Sequence, residues 1–341
     1  MDGHRIALDV MGGDYAPQAT LLGAREALDA WPSLFLCLVG DEGVIHPALK
    51  RYGFAPGLLA RTEVVHASQT VVMEDKATCI LKDKKNSSIR IAAQLVRDGR
   101  AEGMVSMGHT GAAMVASSLV IGKLEGVDRP ALASVMPNMK GGPTVLLDVG
   151  ANVDCRAEHI AQFAVMGSVY AEEVLGVERP RVGILSVGEE DGKGTEVTKE
   201  ASAMLREMDI RFEGNAEGRD IWNGNFEVIA CDGFVGNVVL KSSEALAEGI
   251  INGLRDSFME SAITKLAGLL AKPAMKRFKQ KLDYAEYGGA PLLGVKGVSI
   301  IGHGRSDAKA VRNAIRAALR AAEHRLHERI QERVALLLPQ D

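Results

Sequence analysis

The chain has 341 residues, of which 47% are apolar and 25% charged, so its length suits one large α/β domain or two fused lobes of a soluble protein. The formal net charge of −4 argues against nucleic-acid binding by the molecule as a whole. The four cysteines form no Cys-x-x-Cys motif, which predicts reduced thiols and no zinc site. The sequence lacks the features of a signal peptide and of a transmembrane segment, so it predicts a cytoplasmic protein, and peripheral membrane contact stays possible.

Strand-like apolar runs alternate with helical patterns along the chain. The candidate strands are Arg5–Asp9, Phe35–Val39, Glu63–His66, Met104–Ser106, Leu132–Val135, Thr144–Asp148, Arg181–Ser186, Glu227–Ala230 and Val298–Ile301. The candidate helices are Pro17–Ala30, Ser87–Arg97, Gly111–Val120, Ala157–Leu175, Glu196–Glu207 and Gly236–Gly253. Several strands are continuous apolar runs, which indicates a sheet covered on both faces. The pattern predicts a doubly wound, mostly parallel α/β sheet in a single domain of residues 1–341, and a division near Ala151 stays open.

Two helical segments are predicted near the carboxyl terminus. Residues 256–282 have apolar side chains at helical spacing and a break at Pro273, which predicts a protruding helical hairpin. A long final helix is expected to begin at Ser306 and Asp307, with Ser306 as its N-cap, and to run to about Leu338. Between Lys265 and Lys281 the hairpin carries six cations and no acid, at Lys265, Lys272, Lys276, Arg277, Lys279 and Lys281. This basic patch is a solvated face, a docking surface for an acidic protein, or a contact with an anionic membrane.

Five glycine-containing loops follow predicted strands and carry most of the polar side chains of interest. They begin at Asp9, Ser106, Asp148, Val187 and Cys231. Because ligands of open parallel sheets bind at the carboxyl ends of the strands, we expect several of these loops to converge on one polar cleft. Backbone N–H groups at the helix starts that follow them suit phosphate or another anion. For any single loop, a plain structural turn is an equally good interpretation.

Other known site patterns do not fit. The loop around Lys193 has three residues instead of four between its first glycines, and Gly194 follows the lysine, so it is no Walker motif. No Gly-x-Gly-x-x-Gly follows the first strand, and no Gly-x-Ser-x-Gly elbow or Cys/His pair indicates a covalent acyl-enzyme. The run from Asp148 to Asp154 lacks the ligands of a calcium loop, so Asp148 is interpreted as a turn cap.

The loops taken together resemble one family. They are LDVMGGDYAP (8–17), SMGHTGA (106–112), RPAL (129–132), LDVGANVD (147–154), VGEEDGKG (187–194), CDGFVGNVVLK (231–241), LDYAEYGGAPLLGVKG (282–297) and HGRS (303–306). This ordered set is similar to the PlsX family, the acyl-carrier-protein:phosphate acyltransferases of bacterial phospholipid synthesis. At position 109 the family usually has Asn, whereas this chain has His109.

The resemblance implies a fold like that of phosphate acetyltransferase and isopropylmalate dehydrogenase, assembled as a homodimer. It implies transfer of a fatty acyl group from acyl carrier protein to inorganic phosphate, with no metal or organic cofactor. It also implies a cytosolic enzyme that associates with the inner face of the membrane. There, a membrane glycerol-3-phosphate acyltransferase would consume the acyl phosphate.

Candidate site residues follow from combining the loops with this chemistry. The predicted catalytic residues are Lys193, Asn237, Asp232 and His303. The predicted phosphate- or substrate-binding residues are Gly12, Gly13, Asp14, Gly108, His109, Thr110, Gly111, Gly192, Gly194 and Gly233. The predicted carrier-protein or membrane contacts are Lys272, Lys276, Arg277 and Lys279. The alternatives are a surface ion pair for Lys193 and a helix-start cap for Asn237.

Two other functions compete with acyl transfer. A nicotinamide-dependent decarboxylating dehydrogenase has a similar fold, but it needs a carboxylate cluster for a divalent metal, and the sequence does not indicate one. A non-catalytic membrane-surface scaffold for lipid synthesis would rest on the basic hairpin alone.

Overall fold

The computed structural model describes residues 3–282 and 288–337. The strands are β1 His4–Asp9, β2 Leu34–Gly40, β3 Thr62–His66, β4 Gly103–Ser106, β5 Ala131–Pro137, β6 Pro143–Leu147, β7 Val182–Leu185, β8 Phe212–Ala216, β9 Val228–Ala230, β10 Ala290–Leu293 and β11 Val298–Ile301. The helices are α1 Gln18–Ala30, α2 Glu42–Arg51, α3 Pro56–Leu59, α4 Cys79–Lys82, α5 Ser88–Arg97, α6 Thr110–Val115, α7 Ala157–Glu173, α8 Glu196–Arg206, α9 Asp220–Asn223, α10 Gly233–Met259, α11 Ala262–Leu282, α12 Ala308–Glu323 and α13 Leu326–Leu337. A π-helical segment, Ala116–Ile121, continues α6.

Within the described ranges the strands form one continuous sheet. Its order is β3-β2-β1-β4-β11-β10-β5-β6-β9-β7-β8. Helices cover both faces: α1, α7 and α12 pack on one, and α5 and α10 on the other. The predicted doubly wound, mostly parallel α/β class is therefore confirmed.

The strand direction reverses in the middle of the sheet. β10 pairs antiparallel with both β11 and β5, and β5 pairs antiparallel with β6. The strands β1, β4, β11 and β5 consequently run one way, whereas β6, β9 and β7 run the other way. The carboxyl ends of the two strand sets lie at opposite edges of the sheet. We call the edge at the ends of β1, β4 and β11 the first edge, and the other the second edge.

The helix α12 is held close to the first edge by its own sequence. Val311, Ile315 and Leu319 recur at helical spacing and are buried against α1 and the sheet. Gly23 of α1 permits the close approach, because a Cβ there would lie 2.6 Å from the carbonyl oxygen of Ala308. The carboxylate of Asp307 accepts a hydrogen bond from the backbone N–H of Ala310 and begins the helix.

Two predicted helical segments differ from the structure. The final helix is two helices, α12 and α13, because Arg325 has a φ of 52° that ends the first. Its N-cap is Asp307, not Ser306. The hairpin consists of α10 and α11, so it begins at Gly233 and turns near Glu260. Pro273 lies inside α11 and does not break it, so the predicted break at Pro273 and the predicted start of the hairpin at residue 256 were wrong.

Candidate active site

Three loops meet at the first edge. A Cβ on Gly12 would lie 2.9 Å from the backbone nitrogen of Gly108, so the loops after β1 and β4 touch through their backbones. The backbone N–H of Asp14 donates to the carbonyl oxygen of Gly304 at 2.7 Å, which joins the β1 loop to the loop after β11. Gly13, with a φ of +100°, fits between Met107 and Gly304. These contacts require glycine because the backbones are in direct contact.

A buried carboxylate, that of Asp9, holds this loop cluster in place. Asp9 ends β1 and is almost fully buried, and its Oδ2 accepts a hydrogen bond from the Ser106 hydroxyl at 2.8 Å. Burial raises the pKa of Asp9 above its ordinary value. A Cβ on Gly12 would approach Oδ2 to 2.6 Å. The carboxyl of Asp9 therefore fixes the backbone of the β1 and β4 loops and does not itself face the surface.

A cleft of about 570 Å³ opens beside these loops. This volume lies in the range of small-molecule sites. Its apolar lining is Met107, Met136, Pro137, Trp222, Ala247, Ile251 and Ala310, and its polar lining includes Ser243, Glu244, Glu248, Asn252, His303, Arg305, Ser306, Asp307, Lys309 and Asn313. The cleft combines an apolar wall with charged side chains, as a ligand with an apolar chain and an anionic group would require.

His303 lies at the mouth of the cleft with one ring nitrogen already engaged. Its Nδ1 accepts a hydrogen bond from the backbone N–H of Arg305 at 3.1 Å. The neutral ring therefore carries its proton on Nε2. The side chains of Arg305 and Lys309 line the same cleft, next to the positive end of α12. Against the single carboxylate of Asp307, which caps α12, the two cations and the His303 ring give this corner of the cleft the donors to hold an anion.

The opposite wall of the cleft is α10, and the sequence reasoning missed its residues. Ser243, Ala247 and Ile251 recur every four residues, as do Glu244, Glu248 and Asn252. This spacing places each set on one side of a helix. The signal was present in the sequence, but nothing in it indicated that α10 crosses from the second edge to the first.

At the second edge, Asp148 organises the loops after β6 and β9. Its side chain has no exposed surface, and its two oxygens accept five hydrogen bonds, from the backbone N–H groups of Leu132, Gly150, Ala151 and Asn152 and from the Asn152 amide. Burial raises the pKa of Asp148, and these hydrogen bonds act against the rise. The interpretation of Asp148 as a turn cap is confirmed.

The start of α10 is packed directly against the Asp148 loop. A Cβ on Gly233 would lie 2.6 Å from the carbonyl oxygen of Asn152. The carboxylate of Asp232 accepts from the backbone N–H of Val235 and so caps the helix. The amide of Asn237 is half-buried beside Gly150, and within the described chain it makes no hydrogen bond. Asn237 therefore is not the cap of this helix, and its amide is available to a ligand.

Lys193 lies in the third loop of the second edge, after β7. Its side chain is exposed and forms no ion pair with any described residue. The alternative interpretation of Lys193 as a member of a surface ion pair therefore does not match the described structure. The neighbouring acids are paired instead, Glu189 with Arg219 and Asp191 with Arg206. Gly192 is open to solvent, whereas Gly194 has a φ of +102° and lies against Thr198.

The structure does not bring the predicted site residues together in one chain. Gly12, Gly13, Asp14, Gly108 and His303 lie at the first edge. Lys193, Asp232, Gly233 and Asn237, with Gly192 and Gly194, lie at the second edge. The five glycine loops are divided between the two edges, those after β1 and β4 at the first and those after β6, β7 and β9 at the second, because the antiparallel β10 and the β5–β6 pair reverse the sheet direction between the two sets.

His109 begins α6, and both of its ring nitrogens are engaged. Nδ1 accepts from the backbone N–H of Ala112 at 3.2 Å, and Nε2 lies 3.0 Å from the carbonyl oxygen of Asp75. The ring therefore caps the helix and ties it to a neighbouring loop. Thr110 is exposed at the same helix start, and Gly111 packs against the His109 ring and Ala77.

The basic hairpin is only partly described. The side chain of Lys272 is exposed, whereas the side chains of Lys276, Arg277 and Lys279 lie outside the described residues, as do residues 283–287 of the LDYAEYGG stretch. Among the described residues, no group of three or more His, Cys, Asp or Glu is placed to hold a metal ion. No helix among them is long and apolar enough to cross a membrane.

Comparison with known proteins places the chain in a family. Residues 4–329 match the family model described as fatty acid synthesis protein. The phosphate acyltransferase of Pelotomaculum thermopropionicum is 52% identical over 91% of this chain and 89% of that protein. The phosphate acyltransferase of Aquifex aeolicus is 50% identical over 91% of this chain and 90% of that protein.

The solved structures that resemble this chain share its fold at low sequence identity. A phosphotransacetylase from Streptococcus pyogenes superposes with a TM-score of 0.63 and 14% identity over 94% of both chains. A 4-hydroxythreonine-4-phosphate dehydrogenase from Klebsiella pneumoniae gives a TM-score of 0.52 with 12% identity, over 94% of this chain and 99% of that chain. The resemblance to the PlsX family is confirmed: the chain belongs to the family of fatty acid synthesis proteins that includes these phosphate acyltransferases, and it is an acyltransferase.

Proposed function

We propose that this chain transfers a fatty acyl group from acyl carrier protein to inorganic phosphate. The observation that carries the proposal is the cleft at the first edge, which joins an apolar wall to an anion-binding corner at His303 and Arg305. The names of the relatives, phosphate acyltransferase, support the same reaction. An apolar wall suits a fatty acyl chain, and the positive end of α12 suits phosphate.

The proposed reaction needs no nucleophile from the protein. An oxygen of hydrogen phosphate attacks the thioester carbon, a C–O bond forms, the C–S bond breaks, and the proton of phosphate passes to the leaving thiolate. The products are acyl phosphate and the carrier thiol. Because phosphate is the nucleophile, the protein contributes orientation and stabilisation of charge.

Each residue of the anion corner has a role in this scheme. Arg305 and Lys309 hold phosphate next to the start of α12. The Nε2–H of His303 points to no partner within the described chain, so it can donate to the thioester oxygen or to the sulfur as charge develops. The glycine loops at Gly12 and Gly108 keep the backbone close to the cleft.

The residues of the second edge remain candidates for the same reaction. Lys193 and Asn237 have polar groups without a partner in the described chain. We propose that they act at the cleft of a second copy in a homodimer. The face of α10 supports a dimer, because Leu246, Ile250 and Leu254 lie exposed at a spacing of four residues and would be covered by another apolar surface.

Identification of the product tests the function directly. We expect ³¹P NMR of a mixture of acyl carrier thioester, phosphate and protein to give a new resonance from acyl phosphate, in proportion to the thiol released. With sulfate in place of phosphate, neither the resonance nor the thiol should form. Release of thiol without acyl phosphate would make the protein a thioesterase and contradict the proposal.

Membrane contact by the hairpin is a second proposal. Ile263, Leu266 and Leu270 lie on one side of α11 with exposed fractions of 82%, 61% and 76%, and the same helix also exposes Lys265 and Lys272. A helix that exposes both apolar side chains and cations suits an anionic lipid surface. The enzyme would then release acyl phosphate at the inner face of the membrane, to a membrane glycerol-3-phosphate acyltransferase in phospholipid synthesis.

Vesicle binding tests the membrane proposal. The double substitution Leu266→Asp, Leu270→Asp should abolish co-sedimentation with phosphatidylglycerol vesicles, because both side chains would carry charge into the lipid surface. The matched control is Leu59→Asp, since Leu59 is 42% exposed on α3, away from the hairpin. Equal binding by the double variant and the wild type would contradict the proposal.

A further inference from the structure

The helix α12 presents one face with only cations. Lys309, Arg312, Arg316 and Arg320 follow each other at intervals of three, four and four residues, so they lie on one side of the helix. The opposite side is the buried apolar face of α12. The only acid within α12 is Glu323, at its last position. We call these four residues the α12 cationic face.

This face is accessible and only partly neutralised. Lys309 and Arg320 are exposed, and Arg312 lies over the ring of Trp31 at 5.2 Å from its centroid. Within the described ranges, neither Arg312 nor Arg320 forms an ion pair, although Glu26 and Asp29 of the adjacent α1 are exposed. In a molecule of net charge −4, a row of cations without acids between them is a local positive field.

The α12 cationic face continues from the cleft. Lys309 lines the cleft, and Arg305 at its mouth precedes the same helix. Arg320 lies eleven residues after Lys309, which is about 16 Å along the helix axis. A partner bound along this face would therefore lie next to the opening through which a thioester must enter.

The character of the surface favours a transient, acidic protein partner over lipid. Between residues 303 and 335 no large apolar side chain is exposed, whereas the hairpin exposes several. Charge without apolar surface gives fast, salt-sensitive association of the kind that steers a partner into position. Lipid contact would need apolar side chains at the surface, and they are on α11, not on α12.

From these observations we infer that the acidic acyl carrier protein docks on the α12 cationic face, and not on the basic hairpin, to deliver its thioester into the cleft. The inference rests on the proposed function for the identity of the donor. The sequence offered carrier-protein docking and membrane contact as alternatives for the hairpin alone. The inference assigns them to two different surfaces: α12 binds the carrier protein, and the hairpin contacts the membrane.

The test compares two donors across matched charge reversals. The variants are Arg320→Glu, alone and with Arg312→Glu, and the controls are Lys265→Glu on the hairpin and Arg51→Glu at the end of α2, both exposed cations. Turnover is measured with acyl carrier thioester and with an acyl-pantetheine thioester that lacks the protein. Binding of unacylated carrier protein is measured separately by fluorescence anisotropy.

The α12 variants should raise KM and Kd for the carrier protein by roughly two- to fivefold per reversed charge, and flatten their salt dependence. Their turnover of acyl-pantetheine should match the wild type, which also shows that they are folded. Unchanged carrier affinity in the double variant, or a loss confined to Lys265→Glu, would overturn the inference. If the wild type turns over neither donor, the proposed function fails, and the anisotropy comparison still decides where the carrier protein binds.

Discussion

His303 is the residue whose position is most informative about the reaction. Its Nδ1 is engaged by the Arg305 backbone, so the neutral ring offers a single N–H, at the mouth of the cleft. A ring held in one tautomer does not need to reorganise when charge develops in front of it. The same loop contacts Asp14 and Met107, which fixes its distance from the other loops of the first edge.

Replacement of His303 should therefore affect catalysis more than folding. We expect His303→Ala to lower kcat/KM by about 100-fold, the usual effect of losing one donor to a developing charge. The control is His109→Asn, because an Asn oxygen can replace Nδ1 as acceptor for the Ala112 N–H and keep the cap of α6. Steady-state kinetics with acyl carrier thioester measure both variants. Loss of activity in His109→Asn alone would mean that His109, and not His303, has the catalytic role.

His159 makes folding sensitive to acid at a position away from the cleft. It is buried in the first turn of α7, where its Nδ1 accepts from the backbone N–H of Arg156. Burial lowers the pKa of His159 below its ordinary 6.5, with Arg129 and Arg156 acting in the same direction and Asp128 against it. The unfolded chain then binds more protons below about pH 6.5, so stability decreases as the pH falls.

Gln at position 159 should remove this pH dependence. A Gln side chain keeps the acceptor for the Arg156 N–H, as in a capping box, but it does not titrate. Urea unfolding at pH 7 and pH 5 should give a smaller loss of unfolding free energy for His159→Gln than for the wild type. An equal loss in both proteins would mean that other groups, such as the half-buried His327, cause the dependence.

At the scale of elements, the regular part of the fold was predictable from sequence and the connections were not. Every predicted strand overlaps an observed one, because buried parallel strands are continuous apolar runs. β8 was missed because Phe212–Ala216 contains Gly and Asn and little apolar character. β10 was missed because four residues between glycine-rich turns give too short a pattern.

The glycine loops were recognised, but their placement was not. The sequence marks where the backbone must approach another group closely, as at Gly12 and Gly236. It does not mark which strands are antiparallel, and β10 pairs with β5, which is distant in the chain, as well as with the next strand, β11. The anion corner at His303 could be predicted as a loop before a helix, whereas the α10 wall of the cleft depended on this unpredictable topology.

The junction between β9 and α10 should tolerate no side chain. A Cβ on Gly236 would lie 1.9 Å from the carbonyl oxygen of Asp148, so Gly236→Ala must displace the helix or the loop. We expect a loss of about 1–3 kcal/mol in the free energy of unfolding, the usual effect of overpacking. Gly57→Ala is the control, because a Cβ there meets nothing within 4 Å. Thermal denaturation of both variants makes the comparison, and equal melting temperatures would contradict the close packing of Gly236 on the Asp148 carbonyl.

At the scale of the whole molecule, α10 connects the two edges of the sheet. It has 27 residues and is about 40 Å long, and it starts at the second edge and passes the cleft at the first. If two copies pair through the exposed side of α10 about an axis perpendicular to it, the helices run antiparallel. The second edge of one copy then lies beside the cleft of the other.

Mixing two impaired variants tests whether the site is shared. Lys193→Ala and His303→Ala should each have strongly reduced activity, but co-refolded mixtures should regain up to about one quarter of wild-type activity. In a mixed dimer, one of the two sites then has both residues intact. No recovery, with mixed dimers shown to form by native mass spectrometry, would mean that Lys193 does not complete the cleft of its partner.

The most direct test of acyl transfer at this cleft is the phosphate saturation curve of the wild type and Arg305→Gln. Loss of acyl carrier thioester is followed by mass spectrometry at increasing phosphate, since Arg305 lines the anion corner of the cleft. We predict saturation by phosphate in the wild type, and a KM for phosphate at least about tenfold higher in the variant, as for loss of a charged hydrogen bond. The KM for the acyl carrier thioester should stay unchanged. Thioester loss that does not depend on phosphate, or an identical phosphate KM in both proteins, would contradict the claim that this cleft transfers acyl groups to phosphate.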